Sequence, residues 1–233
     1  MKAALAVAAL TLAGGLAACA SDVDEPWFLD HDRIVAVRAT PPRIPAGGRA
    51  ELDALVATKG AATVERVPEL ATVVSPTGWD GVLAPDGDRW VVTAPDESAM
   101  VAARDQLGLE AGAPVPVQIG VSFAGGTLVA LKTVWLGAEG DNPTLTGLAI
   151  DGAPPPDGEV EVGTEVDVRL AVDADAATMD VNWLTSCGTM HDFDLPSAYL
   201  RVEPDDPKEG QLAVVLRDRE GGVTWRLWSI RAR

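Results

Sequence analysis

The fold is decided by a stretch near the carboxyl end, residues 212–225, which has the sequence LAVVLRDREGGVTW. Apolar side chains alternate in its first half, as in a strand with one buried face: Leu212, Val214 and Leu216. The charged residues and two glycines of 217–222 predict a hairpin turn, and residues 223–232 then form the closing strand. The alternation shifts at Leu227 and Trp228, which predicts a β-bulge. We therefore expect an antiparallel sheet here.

The same periodicity recurs upstream in the second half of the chain. Apolar residues alternate with polar ones over residues 166–172 and again over 179–183, and a shorter β-prone run occupies 145–150. Trp183 belongs to the second of these strands. Together with the closing hairpin, this pattern resembles immunoglobulin-like or polycystic-kidney-disease-type (PKD) modules. In that fold a Trp on the third strand is buried between two sheets. The flanking cysteine pair is absent, and Leu212 stands where the fold has its corner tyrosine.

The first half repeats the pattern. A β-prone run at 34–39 is followed by the proline-rich segment 40–48 and by alternating residues at 50–56, an order that resembles the opening of bacterial immunoglobulin-like domains. Residues 115–123 and 127–136 form a predicted hairpin around two glycines. One short helix is expected between two residues typical of its ends, Asp96 as N-cap and Gly108 as stop.

These resemblances imply an all-β protein made of two tandem immunoglobulin-like β-sandwiches, with the one short helix in the first domain. The expected boundaries are a signal peptide, a tether, the first domain, a linker rich in Gly, Asp, Asn and Pro, and an immunoglobulin-like or PKD-like second domain: 1–18, 19–32, 33–137, 138–143 and 144–233.

The amino terminus predicts where the protein is located in the cell. Lys2 precedes an apolar run at residues 3–16, and small residues stand before Cys19, as in a secretory signal. The sequence Leu16-Ala17-Ala18-Cys19 resembles the lipobox of bacterial lipoproteins. That resemblance implies acyl chains on Cys19, cleavage before it, and the lipid bilayer as a partner. The whole chain is similar to uncharacterised two-domain lipoproteins of myxobacteria. Ala20 is not Asp, which in such lipoproteins favours the outer over the inner membrane.

The net charge limits the possible binding partners, and the cysteine content limits the possible disulfides. The formal net charge of the 233 residues is −17, so the phosphates of nucleic acid are repelled and nucleic acid is not expected as a partner. Only two cysteines are present. If Cys19 carries lipid, Cys187 has no partner within the chain, and we expect no disulfide.

Three groups of residues are candidates for chemistry. Cys187, Met190 and His191 lie within five residues and are ligands that suit copper(I), while the alternative is a loop cysteine that is buried or free. Asp30-His31-Asp32 is interpreted either as a cation site or as solvated charge. Carboxylate pairs suit a hydrolase but are frequent in an acidic chain: Asp205 with Asp206, and Asp173 with Asp175.

Tryptophan is the remaining candidate for binding, because its ring stacks on sugars or anchors a partner. We expect Trp135 and Trp183 in the cores. Trp225 and Trp228 are three residues apart and should lie on opposite faces of their strand, with one exposed. Trp228 is the residue chosen for stacking.

The sequence therefore predicts a membrane-anchored lipoprotein of the cell envelope with a non-catalytic structural, adhesive or binding role. No catalytic residue and no cofactor is expected, and the partner is an envelope protein or a polysaccharide. Two alternatives stay open: a copper-binding protein that uses Cys187, Met190 and His191, and a carboxylate-dependent hydrolase.

Overall fold

The computed structural model describes residues 25–233, so the signal peptide and Cys19 lie outside the described residues. In the first half the elements are, in order, β1 (Arg33–Thr40), β2 (Arg43–Ile44), β3 (Arg49–Thr58), β4 (Ala61–Arg66), β5 (Leu70–Ser75), β6 (Leu83–Asp86), β7 (Arg89–Thr93), α1 (Glu97–Leu107), β8 (Val115–Phe123) and β9 (Leu128–Leu136). In the second half they are β10 (Thr146–Ile150), β11 (Val160–Val162), β12 (Asp167–Asp173), β13 (Met179–Thr185), β14 (Thr189–His191), β15 (Ser197–Arg201), β16 (Glu209–Asp218) and β17 (Val223–Ala232). Short 3₁₀ turns occur at Asp80–Val82 and Ala124–Gly126.

The strands form four sheets, two in each half of the molecule. Sheet I has the order β1-β3-β7-β6 with β4 beside β3, and sheet II has the order β2-β9-β8-β5. Sheet III is β10-β12-β15-β14, and sheet IV is β11-β17-β16-β13. Sheets I and II enclose the first hydrophobic core, and sheets III and IV enclose the second.

Both halves share one topology, in which the first strand is split between the two sheets. β1 pairs antiparallel with β3, and β2 then crosses over to run parallel to β9. In the second half β10 pairs antiparallel with β12, and β11 runs parallel to β17. The resulting strand order is that of an immunoglobulin-like sandwich. The predicted fold, two tandem immunoglobulin-like sandwiches, is confirmed.

Local predictions for the first sandwich also agree with the structure. Helix α1 begins after Asp96, whose carboxylate accepts a hydrogen bond from the Ala99 N–H, and it ends at Gly108 in the left-handed conformation. This hydrogen bond lowers the pKa of Asp96, because it favours the ionised carboxylate. The hairpin β8–β9 forms as expected, although its connection runs from Ala124 to Thr127 rather than through two residues.

The closing hairpin differs from the prediction in one respect. β16 and β17 pair in unbroken register from Glu209 opposite Arg231 to Arg217 opposite Val223, so the predicted bulge is absent from this pair. Leu227 and Trp228 are both apolar because β17 has two buried faces. The side chains of β17 therefore keep alternating between the two faces of the sheet, although Leu227 and Trp228 are consecutive apolar residues.

The second buried face of sheet IV packs against sheet I of the other sandwich. Side chains from both sandwiches and from the segment before β1 form a third hydrophobic cluster at this contact, which we call the inter-sandwich interface: Leu29, Ala36, Leu55, Ala57, Leu184, Ala213, Val215, Val223 and Trp225. Leu55 and Ala57 face this interface, while the alternate residues of β3 face the first core.

Polar contacts surround the apolar centre of the interface. The Gln211 side chain pairs with the backbone of Thr63, accepting from its N–H at 2.5 Å and donating to its carbonyl at 3.0 Å. Nε1 of Trp225 donates to the Glu65 carboxylate at 2.5 Å, and the Arg38 guanidinium lies 3.9 Å from the centroid of the Trp225 ring. Thr63 and Trp225 are buried, and their polar groups have hydrogen-bond partners across the interface, as buried polar groups require.

The segments outside the sandwiches also form hydrogen bonds at the inter-sandwich interface. Asn142, in the predicted linker, donates to the Ala39 carbonyl at 2.9 Å and accepts from the Val223 N–H at 2.8 Å, so it bridges both sandwiches.

Of the predicted tether 19–32, residues 25–32 are described, and they do not extend away from the body. The N–H of Leu29 donates to the Thr185 carbonyl at 2.8 Å, and its side chain is buried in the interface because it is apolar.

Candidate functional site

The predicted copper ligands do not converge. Cys187 and Met190 are buried in the second core, and Sγ of Cys187 donates to the Pro207 carbonyl at 2.8 Å. His191 follows Met190 in β14 and is exposed, because neighbouring residues of a strand point to opposite faces. Burial raises the pKa of the Cys187 thiol, with the nearby Asp206 carboxylate as the second cause. Within residues 25–233, no group of three or more His, Cys, Asp or Glu residues is placed to hold a metal ion.

Four of the six acidic candidates stabilise turns. Asp30 and Asp32 accept the backbone N–H groups of Gly60 and Lys59 at 2.6 and 2.8 Å, which fixes the β3–β4 turn. In the predicted hydrolase pairs the same is true of Asp175, which accepts from the Ala177 N–H at 2.9 Å. In the other pair, Asp206 accepts from the Glu203 N–H at 2.8 Å, a local contact of the same kind. These carboxylates therefore have structural partners.

The tryptophan predictions need correction. Trp183 is fully buried in the second core, as expected. Trp225 and Trp228 do lie on opposite faces, but both are buried, and Trp228 exposes only 3% of its surface, with Nε1 donating to the Pro156 carbonyl. Its ring is therefore not available to stack on a ligand. Trp135 was expected in a core but lies half-buried on the outer face of β9.

The outer face of sheet II carries a large exposed apolar surface. Four side chains on β5 and β9 are exposed by half or more: Val129 by 73%, Leu131 by 63%, Leu70 by 57% and Val74 by 50%. We call this surface, together with Thr72, Gly120 and Ser122 between those side chains, the outer apolar face. Isolated exposed apolar residues are common, but a contiguous group of them marks a site of interaction.

Strand register brings these residues into rows. Leu70 lies opposite Ser122, and Ser122 lies opposite Val129; in the next row Thr72, Gly120 and Leu131 are aligned in the same way. Residues opposite each other in neighbouring antiparallel strands have adjacent side chains. The outer apolar face is therefore fixed by the sheet itself.

Gly120 gives this face a concave shape. A Cβ atom at this position would lie 3.2 Å from Cγ2 of Val74, closer than ordinary van der Waals contact. Because Gly120 has no side chain, an open groove of about 550 Å³ runs between the larger side chains on β5 and β9. None of the residues that line the groove is charged, in a chain whose net charge is −17.

On the opposite side of β9, Lys132 is buried at the contact between the sandwiches. Its Nζ donates to the Gly221 carbonyl in the β16–β17 turn, and the residue exposes 6% of its surface. Desolvation lowers the pKa of Lys132 to about 8. The Asp218 and Asp53 carboxylates oppose this shift, and Arg217 adds to it. Lys132 is thus a titratable group inside the interface.

The sequence contains a signal for the outer apolar face. Residues 128–131 of β9 are four consecutive apolar residues, LVAL. A strand with one solvated face should alternate, so an unbroken apolar run indicates that both of its faces are apolar. Trp135, farther along the same strand, was missed as a surface residue because its apolar character suited a core equally well.

Comparisons with known proteins add the following findings. No family model matches the chain, and no curated protein matches it in sequence. The N-terminal Ig1-2 module of the Drosophila receptor protein tyrosine phosphatase DLAR is 10% identical with a TM-score of 0.30, over 85% of this chain and 98% of that one. The titin domains z1z2, solved in complex with telethonin, are 14% identical with a TM-score of 0.27, over 85% and 96%.

A third solved structure matches a smaller part of the chain. It is a nucleoside hydrolase-related hypothetical protein from Saccharophagus degradans, 11% identical with a TM-score of 0.30 over 40% of this chain. The match spans only 26% of that protein. The assignment of the immunoglobulin-like fold rests on the strand order described above. Within residues 25–233, no helix combines the length and the apolar character needed to cross a bilayer.

Proposed function

We propose that the protein is a lipid-anchored, non-catalytic binding protein of the bacterial cell envelope, placed in the outer membrane, and that its outer apolar face docks a partner protein. The observation that carries the proposal is the exposure of Leu70, Val74, Val129 and Leu131 around a groove without charged residues. Covering these side chains is favourable, at about 25 cal/mol for each Å² of apolar surface removed from water.

The acidity of the chain constrains the partner. A net charge of −17 repels other acidic proteins over distances of about 8 Å at physiological salt. A partner with an apolar centre surrounded by Lys and Arg residues satisfies both the groove and this charge. We therefore infer an envelope protein with a basic rim, and binding should weaken as salt increases because the rim contacts are screened.

The anchor is proposed from Cys19 and tested by mass. The intact protein purified from its native membrane should begin at Cys19 and carry the added mass of acyl chains. Cys19→Ala should yield an unlipidated protein that no longer sediments with membranes. Ala20→Asp should keep the lipid but move the protein from the outer-membrane to the inner-membrane fraction. A wild-type amino terminus elsewhere, without lipid, contradicts the anchor.

Docking is tested by a photo-cross-linking residue incorporated at a single position in living cells. Incorporation at Val129 or Thr72 should give one discrete heterologous adduct, and its yield should fall with added salt. The control is incorporation at Tyr199, which is exposed on sheet III of the second sandwich. Equal adducts at all positions, no adduct at Val129, or an adduct of twice the protein's own mass contradicts the proposed partner.

A further inference from the structure

Trp135 differs from the other tryptophans of the protein. The chain has seven, all within the described residues, and six of them belong to or pack against a hydrophobic cluster: Trp27, Trp79, Trp90, Trp183, Trp225 and Trp228. Trp135 belongs to none of the three clusters and lines a surface cleft instead. A half-buried indole that lines a cleft offers a ligand both an apolar ring face and an N–H donor.

The cleft around Trp135 lies where the two sandwiches meet. Arg43 of β2 and Glu139, just after β9, line it from the first sandwich, while Arg219 and Glu220 line it from the β16–β17 turn of the second. Its volume is about 460 Å³, within the range of small-molecule sites. Ligand sites form preferentially at such boundaries between domains.

Contacts between the sandwiches hold the walls of the cleft in place. Arg43 forms an ion pair with Glu220 across it, and Lys132 donates to the carbonyl of Gly221 beside it. Gly221 has a φ of +88°, and a Cβ there would lie 3.2 Å from Nε1 of Trp135. Glycine therefore lets the turn approach the edge of the indole. The cleft is formed before any ligand binds, which reduces the entropy lost on binding.

The chemistry of the walls defines a ligand class. We propose that this cleft binds a neutral pyranose sugar, with the apolar C–H face of the sugar ring stacked on Trp135. Arg219 supplies donors for the sugar hydroxyl groups and Glu139 supplies acceptors, while Arg43 and Glu220 are engaged in their own ion pair at the wall of the cleft. The two positive and two negative charges cancel, so the cleft favours a neutral ligand over an ion.

This sugar site is separate from the outer apolar face. Trp135 lies opposite Pro116, whereas Val129 lies opposite Ser122, so the two positions are about 20 Å apart along β9 at the rise of a β-strand. The proposal therefore does not depend on docking of a protein partner. Pyranoses with only equatorial substituents, such as β-1,4-linked glucose and N-acetylglucosamine, present the flattest C–H face to the indole.

The test is calorimetric titration of the full-length protein in detergent with β-1,4-linked oligosaccharides of glucose and of N-acetylglucosamine. Wild type should bind at least one series, and Trp135→Ala should weaken that binding by about tenfold or more. Trp135→Tyr should retain part of the affinity because it keeps an aromatic ring. Arg219→Ala, at an exposed turn where folding is unaffected, should weaken binding several-fold.

The control is Tyr199→Ala, which removes an exposed aromatic side chain on sheet III and should leave the sugar affinity unchanged. Two results overturn the sugar site. One is the absence of wild-type binding to both oligosaccharide series. The other is wild-type affinity in both Trp135→Ala and Arg219→Ala.

Discussion

Sheets II and IV occupy the same place in their sandwiches but have different surroundings. Each consists of the second part of the split first strand, the last two strands of its sandwich, and one earlier strand, which is β5 in sheet II and β13 in sheet IV. The outer face of sheet IV is covered by the other sandwich, and Ala213 and Val215 are fully buried there. The outer face of sheet II exposes Val129 and Leu131. In sheet IV the second apolar face is an interface, and we propose the same role for the second apolar face of sheet II.

The strongest test of this comparison places the same charge on both sheets. Val215→Asp introduces an unpaired carboxylate into the inter-sandwich interface and should lower the free energy of unfolding by about 3–5 kcal/mol. Val129→Asp, the matched change on the exposed face, should alter it by less than about 0.5 kcal/mol. Chemical denaturation followed by tryptophan fluorescence measures both.

Similar losses of stability in the two variants contradict the comparison. A small loss in Val215→Asp means that the sandwiches do not depend on each other's surface. A large loss in Val129→Asp means that the outer apolar face is required for folding of the isolated chain. Photo-cross-linking from Thr72 in each variant then separates docking from folding.

Burial of Lys132 at the contact between the sandwiches should make the stability of the protein depend on pH. Its pKa is about 8 in the folded protein, against an ordinary value of 10.5, so between these values the unfolded chain holds a proton that the folded chain has released. Wild-type stability should therefore rise with pH across that window, by up to about 3 kcal/mol relative to Lys132→Met. Below pH 8 the cost of burying the charge is fully present. Parallel stability curves for the two proteins from pH 7 to 10.5 contradict a desolvated Lys132 in the interface.

Two glutamines give a smaller and more local comparison. Gln211 of sheet IV bonds the buried backbone of Thr63 across the interface, whereas Gln118 of sheet II is exposed on the outer side of β8. Gln211→Ala leaves the N–H and carbonyl of Thr63 unpaired and should cost about 1–3 kcal/mol. Gln118→Ala should cost less than about 0.5 kcal/mol. Thermal unfolding of both variants measures the difference, and equal midpoints would show that Gln211 is not bonded across the interface.

The strands and cores could be predicted from the sequence because their periodicity is a local property. The alternation at Leu212, Val214 and Leu216 correctly identified the residues that face the second core. Trp183 was likewise placed correctly as the buried residue of a third strand.

Contacts between distant elements could not be predicted in the same way. The alternation over 50–56 predicts a strand with one buried face, but Leu55 on the second face packs against the other sandwich. The apparent bulge at Leu227 and Trp228 had the same cause, since one residue packs at the interface and the other in the core. Runs in which both alternating positions are apolar, such as 212–216 and 128–131, contain the missing information. They indicate that a second face is apolar without identifying what covers it.

The candidate sites likewise depend on contacts between distant elements, which sequence spacing does not show. Proximity in sequence grouped Cys187, Met190 and His191, but the strand separates Met190 from His191 by turning them to opposite faces. The residues that line the Trp135 cleft are far apart in sequence, from Arg43 to Glu220, and only the packing of the two sandwiches brings them together. Sequence spacing does not reveal a site of that kind.

The central claim, that the outer apolar face is covered by a partner in the envelope, is tested most directly by labelling a cysteine at Leu131 with a maleimide. Wild type provides the unlabelled baseline, because Cys187 is buried with a raised pKa and the proposed lipid blocks the thiol of Cys19. Leu131→Cys should react quickly in the purified protein and slowly in intact envelopes, while the control Tyr199→Cys reacts equally in both. Equal reactivity of Leu131→Cys in the two preparations would contradict the claim.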